Sequence, residues 1–291
     1  MKLNKNADTR ILIVGLGLLG GSYARALKKK GYTVYAIEKK KESVDFALEH
    51  GIVDFASTRV EERFLREASL AVFALYPHVF LSWVREYGHL FPKGALITDV
   101  TGVKSAVVDQ VQTLLPEGVE YIAAHPMAGR EVGGVENSDD GIFRGANYIV
   151  VPTKKNTPEG IELCKELGRE LGFARVSVLT PEKHDEMIAF LSQLTHCIAV
   201  SLMCAGEDTG LVDYTGDSFR DLTRIARIQE NLWSELFLLN KEALLEQMKR
   251  FKEAFLTLEN AIACEDVEKM KEMMRLSTAR RALFDRKGER K

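Results

Sequence analysis

The first 180 residues alternate short apolar runs with amphipathic stretches, and this alternation constrains the fold more than any other feature of the chain. The runs are rich in β-branched residues and end in Gly, Pro or Asp, as buried strands do. Strand–helix alternation predicts a parallel sheet covered on both faces. The predicted strands span residues 11–14, 33–37, 70–75, 95–100, 121–124, 147–151 and 174–179, and the predicted helices span 20–30, 42–50, 78–88 and 103–115.

From Pro181 onward the sequence predicts helices and no strand. Apolar residues recur three and four positions apart, as in Leu244, Leu245 and Met248, which is the period of one helix face. No low-complexity or Pro/Ser-rich linker separates the two halves, so we expect them to pack closely. We predict an α/β domain over 1–180 and an all-α domain over 181–291, with helices at 182–205, 218–227, 230–239, 241–263 and 266–284.

The composition excludes several classes of protein. Apolar residues make up 46% and charged residues 28% of the chain, and a net charge of -2 provides no basic field for nucleic acid or an anionic membrane. The start of the chain is too polar for a signal peptide, and we find no run of roughly 18 apolar residues that would span a membrane. The four cysteines form no CxxC pair and no close Cys/His cluster. We therefore expect no metal site, no disulfides and a cytoplasmic location.

A glycine motif follows the first predicted strand directly. In GLGLLGGS, Gly15, Gly17 and Gly20 fit the pattern G-x-G-x-x-G, and a predicted helix follows. Gly15 permits a tight turn, Gly17 lets the backbone approach a pyrophosphate, and Gly20 brings the helix close to the sheet. We predict a Rossmann-type domain in which these glycines, with Leu18 and Leu19, bind a dinucleotide at the helix N-terminus.

The second predicted strand leads to Glu38, about 20 residues beyond the glycine motif. A carboxylate at this position accepts hydrogen bonds from ribose hydroxyls and repels a 2′-phosphate, which favours NAD over NADP. The three lysines that follow, at 39–41, either meet a 2′-phosphate or form a solvated charge run. We predict NAD as the cofactor.

Polar residues follow two other predicted strands. TDVTGVKS carries Thr101 and Lys104, and YIAAHPMAGRE carries His125. Ligands of open parallel sheets bind at the carboxyl ends of the strands, and Pro126 restrains the backbone at His125. We expect His125 to end its strand at the carboxyl edge of the sheet, with its ring in a cleft. The other five histidines are read as structural by default: His50, His78, His89, His184 and His196.

Five segments occur in an order that resembles a known family: GLGLLGGS, TDVTGVKS, AHPMAGRE, SQLTHCIAVSL and DSFRDLTRIAR. Together they resemble the prephenate and arogenate dehydrogenases of tyrosine biosynthesis, over residues 10 to 260. The resemblance implies an oxidative decarboxylation, in which NAD⁺ takes hydride from C4 of prephenate, CO₂ leaves C1, and 4-hydroxyphenylpyruvate forms. It also implies that the helical half binds substrate and pairs in a homodimer. The predicted helix over 241–263, which is apolar on a broad face, is consistent with such a contact.

The resemblance assigns roles to residues in both halves. His125 matches the histidine that accepts the proton of the C4 hydroxyl, and a neutral imidazole with an ordinary pKa suits this role. Arg224 matches the arginine that binds a substrate carboxylate through its guanidinium fork. Asp221 lies three residues earlier on the predicted helix, where it could aim Arg224. An exposed basic helix face is the alternative interpretation of Arg224.

Three further residues are implied in substrate binding. His196 matches a second histidine of the family, and we expect it to reach the cleft between the domains. Ser192 lies four residues before His196 and shares its helix face. Glu131 matches an acidic position at the entrance to the active site.

Two positions depart from the pattern of the family. Gly102 stands where many relatives carry a serine that orients the catalytic histidine, and Thr101 is the neighbouring candidate for that catalytic hydroxyl. Gln193 stands where some relatives carry another histidine. Three alternatives stay open at this point: an arogenate dehydrogenase, a β-hydroxyacid dehydrogenase, and a nucleotide-sensing module without turnover. Retention of His125 and Arg224 argues against the last.

Overall fold

The computed structural model describes residues 9–130, 132–207 and 209–285. It divides into two compact units, one that ends at Asn240 and one that begins at Lys241. The helices between residue 181 and Asn240 therefore form one compact unit with the α/β part. This division differs from the predicted domain boundary at residue 180, which stays a prediction about modules of the sequence.

A six-stranded parallel sheet forms the centre of the first unit, in the order β3-β2-β1-β4-β5-β6. This is the strand order of dinucleotide-binding Rossmann domains, so the predicted fold class is confirmed. The strands are β1 (Arg10–Val14), β2 (Thr33–Ile37), β3 (Phe55–Ser57), β4 (Ala68–Phe73), β5 (Leu96–Asp99) and β6 (Glu120–Tyr121).

Helices cover both faces of this sheet, because the strands are apolar on both sides. Along β1, Ile11 and Ile13 face one buried cluster, while Leu12 and Val14 face the other. The first cluster includes side chains of α1 (Leu18–Lys29), α2 (Lys41–Glu49) and α6 (Pro158–Glu170). The second cluster includes side chains of α3 (Glu62–Arg66), α4 (Pro77–Tyr87) and α5 (Ser105–Leu114).

A second, three-stranded sheet was not expected from the sequence. It consists of β7 (Ala123–Met127), β8 (Asn147–Val151) and β9 (Arg175–Val178), with β7 antiparallel to β8 and β8 parallel to β9. The predicted strand 121–124 is thus divided: β6 ends in the large sheet at Tyr121, and β7 starts the small one. Proline lacks an amide hydrogen, and Pro126 is accommodated because β7 is an edge strand.

The prediction that His125 ends its strand is wrong. His125 lies in the middle of β7, opposite Ile149 of β8. No predicted element corresponds to β3, α3 or α6. The first two are very short, with three and five residues, so they carry too few positions for a periodic pattern.

The remaining helices lie after residue 180. A continuous helical run passes from α-helix through a π-helical turn at Ala189–Gln193 and back to α-helix. The predicted helix 218–227 ends early, because a 3₁₀ turn replaces it from Arg224 to Ala226. The α-helices of this region are α7 (Pro181–Ile188), α8 (Leu194–Ala205), α9 (Asp217–Thr223) and α10 (Glu230–Leu239), and those of the second unit are α11 (Lys241–Ala263) and α12 (Val267–Ala282).

One helical run is more apolar than the sequence analysis allowed. Residues Pro181–Ala205 form a helix of 25 residues with a mean hydropathy of 1.7 in its most apolar window, of which 28% is buried. By length and composition this run could cross a membrane, so the prediction that no segment qualifies is wrong. The run was overlooked because Ser192, Gln193 and His196 interrupt it. Hydropathy averaged over a window tolerates such interruptions, and core helices of soluble proteins also meet this criterion.

Candidate active site

The glycine loop between β1 and α1 leaves no room for side chains at two of its three glycines. Gly15 has φ of +97°, and a Cβ there would lie 2.5 Å from the carbonyl oxygen of Ala74. A Cβ on Gly20 would lie 1.8 Å from the carbonyl oxygen of Gly15. A Cβ on Gly17 would meet nothing within 4 Å, and no side chain caps the helix that begins at Leu18. The open approach at Gly17 and the uncapped helix N-terminus fit a pyrophosphate.

Glu38 lies directly after β2 and beside this loop. Its carboxylate accepts hydrogen bonds from the backbone amides of Leu16, at 2.9 Å, and Lys40, at 3.0 Å. A carboxylate at the end of the second strand is placed to accept ribose hydroxyls. Of the lysines that follow, Lys41 pairs with Asp45 on its own helix at 2.5 Å. The residues present therefore fit NAD.

A fully buried ion pair lies at the carboxyl end of β5. Asp99 is the last residue of β5, and its Oδ2 lies 2.6 Å from the Nζ of Lys104. Lys104 also donates to the carbonyl oxygen of Ala124 at 2.6 Å, while the other carboxylate oxygen of Asp99 accepts from the hydroxyl of Tyr121 at 2.8 Å. Neither charged side chain is exposed. The pair thus ties the large sheet to β7, one residue before His125.

The hydroxyl of Thr101 belongs to this buried pair. It hydrogen-bonds to Oδ2 of Asp99 and accepts from Nζ of Lys104 at 3.2 Å. Thr101 is only 4% exposed. The expectation that Thr101 supplies a hydroxyl to His125 or to the substrate is therefore corrected, because the loop turns this side chain inward to the ion pair.

Three side chains, starting with His125, are connected in series by hydrogen bonds. Nδ1 of His125 lies 2.9 Å from Nε2 of His184, and Nδ1 of His184 lies 2.7 Å from Oδ1 of Asp185. His125 is partly buried, while His184 is fully buried and Asp185 is 4% exposed. The N-terminal half of α7 thus places His184 against the histidine of β7, and Asp185 against His184.

Asp185 also caps a helix to which it does not belong. Its Oδ1 accepts from the backbone amide of Lys104 at 2.9 Å, and its Oδ2 accepts from the amide of Ser105 at 2.8 Å. These amides stand at the N-terminus of α5, where no side chain of the helix itself provides a cap. The partly positive helix end favours a negative charge at this place.

The environment shifts the protonation of all three members of the chain. Burial, with smaller contributions from His184 and Lys104, lowers the pKa of His125 well below its ordinary value. Burial also lowers the pKa of His184, against the hydrogen bond to Asp185. Burial alone would raise the pKa of Asp185, but the bonds from His184 and Ser105 outweigh it and lower that pKa. At neutral pH both imidazole rings are therefore neutral, and Asp185 is a charged carboxylate.

The predicted residues of α8 lie in a different environment. The ring of His196 stacks on the indole of Trp233 in α10, with ring centroids 3.7 Å apart. Its Nδ1 lies 2.9 Å from the carbonyl oxygen of Ser192. Gln193 is buried and donates to the carbonyl oxygen of Leu236 at 2.9 Å. Gln193 thus links the π-helical turn to α10.

Arg224 and Asp221 are both exposed side chains. The α-helix that carries Asp221 ends at Thr223, and Arg224 begins the 3₁₀ turn that packs against α8. The two residues therefore do not share one α-helix face as predicted. Glu131, predicted at the entrance of the site, lies outside the described residues. Within residues 9–130, 132–207 and 209–285, no group of three or more His, Cys, Asp and Glu side chains could hold a metal ion.

Gly102 leaves space for a larger residue. A Cβ at Gly102 would contact the side chain of Leu236 at 3.4 Å, which is close to an ordinary van der Waals distance.

The residues that sequence reasoning missed are Lys104, His184 and Asp185. Adjacency in KHDE was a weak signal for the last two, because a histidine and an acid in one helix turn are common on exposed surfaces.

The glycine loop, the carboxylate after β2 and a neutral histidine in β7 together define an NAD-binding enzyme of the dehydrogenase class. Comparison with known proteins identifies the family. Residues 23–178 match the profile described as the nucleotide-binding domain of prephenate dehydrogenase, and residues 180–276 match that of its dimerization domain. The chain belongs to the prephenate dehydrogenase family.

Individual relatives agree with this assignment. The chain is 30% identical to a prephenate dehydrogenase of Bacillus subtilis over 92% of its own length and 74% of that protein. It is 30% identical to a cyclohexadienyl dehydrogenase of Zymomonas mobilis, over 88% and 89% of the two chains. Among solved structures, prephenate dehydrogenase from A. aeolicus in complex with hydroxyphenyl propionate and NAD⁺ is similar with a TM-score of 0.87 and 28% identity, covering 95% of this chain and 98% of that one.

Proposed function

We propose that this protein catalyses the NAD-dependent oxidative decarboxylation of prephenate to 4-hydroxyphenylpyruvate in tyrosine biosynthesis. The observation that carries the proposal is the neutral His125, held by His184 and Asp185 in a chain whose relatives are prephenate dehydrogenases. A base must be unprotonated to accept a proton, and burial keeps His125 in that form at neutral pH.

The proton balance of the reaction suits a single histidine. His125 accepts the proton of the C4 hydroxyl as that carbon is oxidised, and bound NAD⁺ supplies the hydride acceptor. Loss of CO₂ from C1 leaves the ring aromatic, with a negative phenolate oxygen at C4. Protonated His125 returns its proton to that oxygen. The base is thus restored in each cycle, and no further acid is required.

Residues of the helical half are proposed to bind the substrate. Arg224 would pair with a carboxylate of prephenate through its guanidinium fork. His196, with its ring stacked on Trp233, would contact the substrate from α8, and Ser192 would support it through the carbonyl contact to its ring nitrogen. Asp221 is proposed to influence Arg224 through its charge.

Three further assignments complete the proposed site. Thr101 acts on the site through Lys104 and Asp99, because its hydroxyl bonds to that pair. Glu131 stays proposed at the entrance of the site, on the match to the family motif alone. In the nucleotide site, Gly15, Gly17, Leu18, Leu19 and Gly20 are proposed to hold the pyrophosphate, and Glu38 the adenosine ribose.

The proposed assembly is a homodimer formed through the helical part, with a module boundary near residue 180. Large exposed apolar side chains concentrate after residue 189, and the match to a dimerization domain begins at residue 180. We propose that the apolar run Pro181–Ala205 is an interface or core helix and that the protein is cytoplasmic. In the second unit, Phe255 and Ile262 of α11 are 60% and 58% exposed. Such patches mark protein contacts.

Arogenate is a second candidate substrate, because the Zymomonas mobilis relative is named for cyclohexadienyl compounds in general. The test is a steady-state assay that follows NADH formation with prephenate and with arogenate. We expect a higher kcat/KM with prephenate. A higher kcat/KM with arogenate would assign the protein to that substrate, and no NADH with either compound would contradict the proposed function.

A further inference from the structure

We propose that His184 and Asp185 are positioning residues that hold His125 in the tautomer with its proton on Nδ1, so that Nε2 is the free base. The inference rests on the proposed role of His125 and extends it. Neither residue was distinguished by its sequence context, and the three side chains come from two separate parts of the chain, β7 and α7.

The direction of the hydrogen bonds follows from Asp185. Two backbone amides, those of Lys104 and Ser105, donate to its carboxylate and hold it in the charged form. A carboxylate can only accept hydrogen bonds, so the Nδ1 of His184 must carry the proton of the 2.7 Å contact. Neutral His184 then has its lone pair on Nε2.

That lone pair decides the state of His125. The Nε2 of His184 is the acceptor of the 2.9 Å contact, so the Nδ1 of His125 must be the donor. Neutral His125 carries one proton only, and its Nε2 is therefore left with the lone pair. The N-terminus of α5 thus keeps Asp185 charged, Asp185 fixes the proton of His184, and His184 fixes the proton of His125.

The same chain stabilises the charge that forms during the reaction. When the proton of the substrate hydroxyl moves to Nε2 of His125, the ring becomes an imidazolium. Its Nδ1 proton is shared with His184, whose own Nδ1 proton is shared with Asp185. No proton is lost to solvent in this step, because His184 is fully buried and Asp185 nearly so. In serine proteases a buried aspartate bonds directly to the catalytic histidine and orients it. Here a second imidazole, that of His184, lies between the aspartate and the proposed base.

The protonation state can be read directly by proton–nitrogen NMR of the enzyme with labelled histidine, at neutral pH and without substrate. We expect His125 to carry its proton on Nδ1. In His184→Leu the acceptor is gone, and we expect His125 to shift towards the tautomer with the proton on Nε2, which an isolated imidazole prefers. A wild-type His125 with its proton on Nε2 would overturn the inference, even if the variants fail to fold.

Kinetics provide the second reading. We expect His184→Leu to lower kcat by about 10²–10⁴-fold. The KM for prephenate and the Kd for NAD⁺ should stay near wild type. His184→Gln, whose amide oxygen can accept the Nδ1 proton, should recover most of the lost kcat. His50→Gln is the matched control, because His50 is an exposed residue that contacts Phe46 on its own helix. An unchanged kcat in His184→Leu, or no recovery in His184→Gln, would contradict the positioning role.

The two readings separate this inference from the proposed function. If His125 carries its proton on Nδ1 but prephenate gives no NADH, the proposed function fails and the tautomer assignment stands. If prephenate is turned over and His125 carries its proton on Nε2, the assignment fails and the function stands.

Discussion

The Nζ of Lys104 lies 2.6 Å from the Oδ2 of Asp99, and neither side chain is exposed to solvent. Burial lowers the pKa of Lys104, and the charge of Asp99 opposes that shift. Lys104 also reaches the carbonyl oxygen of Ala124, so the pair connects the end of β5 with the strand that carries His125. The base of the proposed reaction thus lies next to a fixed ionic link between two sheets.

We expect Lys104→Met to destabilise the protein strongly, because it leaves Asp99 charged, buried and without its cation. The loss in free energy of unfolding should be about 3–5 kcal/mol, measured by urea denaturation. Lys183→Met is the matched control, since Lys183 pairs with Glu186 at a similar 2.7 Å while its side chain is 64% exposed. That change should cost about 0–1 kcal/mol. Equal losses in the two variants would contradict the importance of burial.

In the proposed mechanism, the lowered pKa of His125 sets the acidic limit of activity. The free-enzyme pKa of the base controls the fall of kcat/KM at low pH. Because burial and its neighbours hold the pKa of His125 well below 6.5, kcat/KM for prephenate should fall only at pH values well under about 6.5. His125→Asn should lower kcat by about 10²-fold or more and lack this acidic limb. A variant with wild-type kcat and the same limb would remove His125 from the mechanism.

The same pKa shifts make folding depend on pH. In the unfolded chain, His125 and His184 bind protons near pH 6.5, whereas in the folded protein their lowered pKa values delay this uptake. The unfolded state therefore binds more protons below about pH 6.5, and the free energy of unfolding must decrease as the pH falls towards the folded pKa values. Urea denaturation over this range should show a shallower dependence in His184→Gln, and no change in His50→Gln.

Gly17 and Gly20 should respond differently to the same added methyl group. Gly20→Ala places a Cβ 1.8 Å from the carbonyl oxygen of Gly15, so we expect a loss of stability that lowers the melting temperature. Gly17→Ala meets nothing within 4 Å and should fold normally, but its methyl group would obstruct the pyrophosphate. We expect a raised Kd for NAD⁺ in calorimetric titration. Normal NAD⁺ binding by Gly17→Ala would place the pyrophosphate elsewhere.

Glu38 should determine the choice of dinucleotide. Its charge would repel a 2′-phosphate, so the wild type should have a higher kcat/KM with NAD⁺ than with NADP⁺. Glu38→Ala removes the ribose acceptor and a contact to Leu16, and should lower kcat/KM with NAD⁺ by about 10-fold or more. Glu42→Ala, which removes a nearby charge from α2, is the control. A wild-type preference for NADP⁺ would show that Lys39, Lys40 and Lys41 dominate instead.

Arg224→Ala should separate substrate binding from cofactor binding. Loss of a charge-assisted pair with a carboxylate usually costs about 1.5–3 kcal/mol, which raises the KM for prephenate by about 10-fold or more. The Kd for NAD⁺ should change little, and the melting temperature should confirm that the variant folds. Arg220→Ala provides the control, since Arg220 is exposed and pairs with Asp217 on its own helix. An unaltered KM in Arg224→Ala would place Arg224 outside the site.

The parts of the fold that sequence predicted are those with repeated local patterns. The strand and helix around the glycine motif were predicted because its pattern is local: Gly15 and Gly20 have no room for a side chain, and Gly17 leaves an open approach. The small sheet was missed because β7 follows β6 after a single residue, Ile122, and the change of sheet leaves no mark in the apolar pattern. The short turn at Arg224 was read as helix for a related reason, since the helical period continues through it.

Candidate site residues could be proposed from the sequence where one residue and its motif were enough, and their partners were missed where these come from distant segments. His125 was proposed from its motif, and its neighbour in space is His184, 59 residues further along the chain. Lys104 was noted only as a polar residue after a predicted strand and received no role, because nothing local shows that its ammonium group is buried against Asp99. Thr101 was predicted to supply a catalytic hydroxyl for the same reason, since nothing local shows that its side chain turns towards this pair. Pairings between segments depend on packing that no single stretch of sequence specifies.

The position of α7 has a consequence for how the two modules depend on each other. The family matches end at residue 178 and resume at residue 180, whereas His184 and Asp185 lie just beyond that junction and contact residues well before it. A nucleotide-binding half cut at the junction would keep its glycine loop and its ion pair. It would lack the cap of α5 and the partner of His125. In the proposed site the two matched modules thus share one set of side chains, so a recombined enzyme would have to inherit His184 and Asp185 together with the nucleotide-binding half.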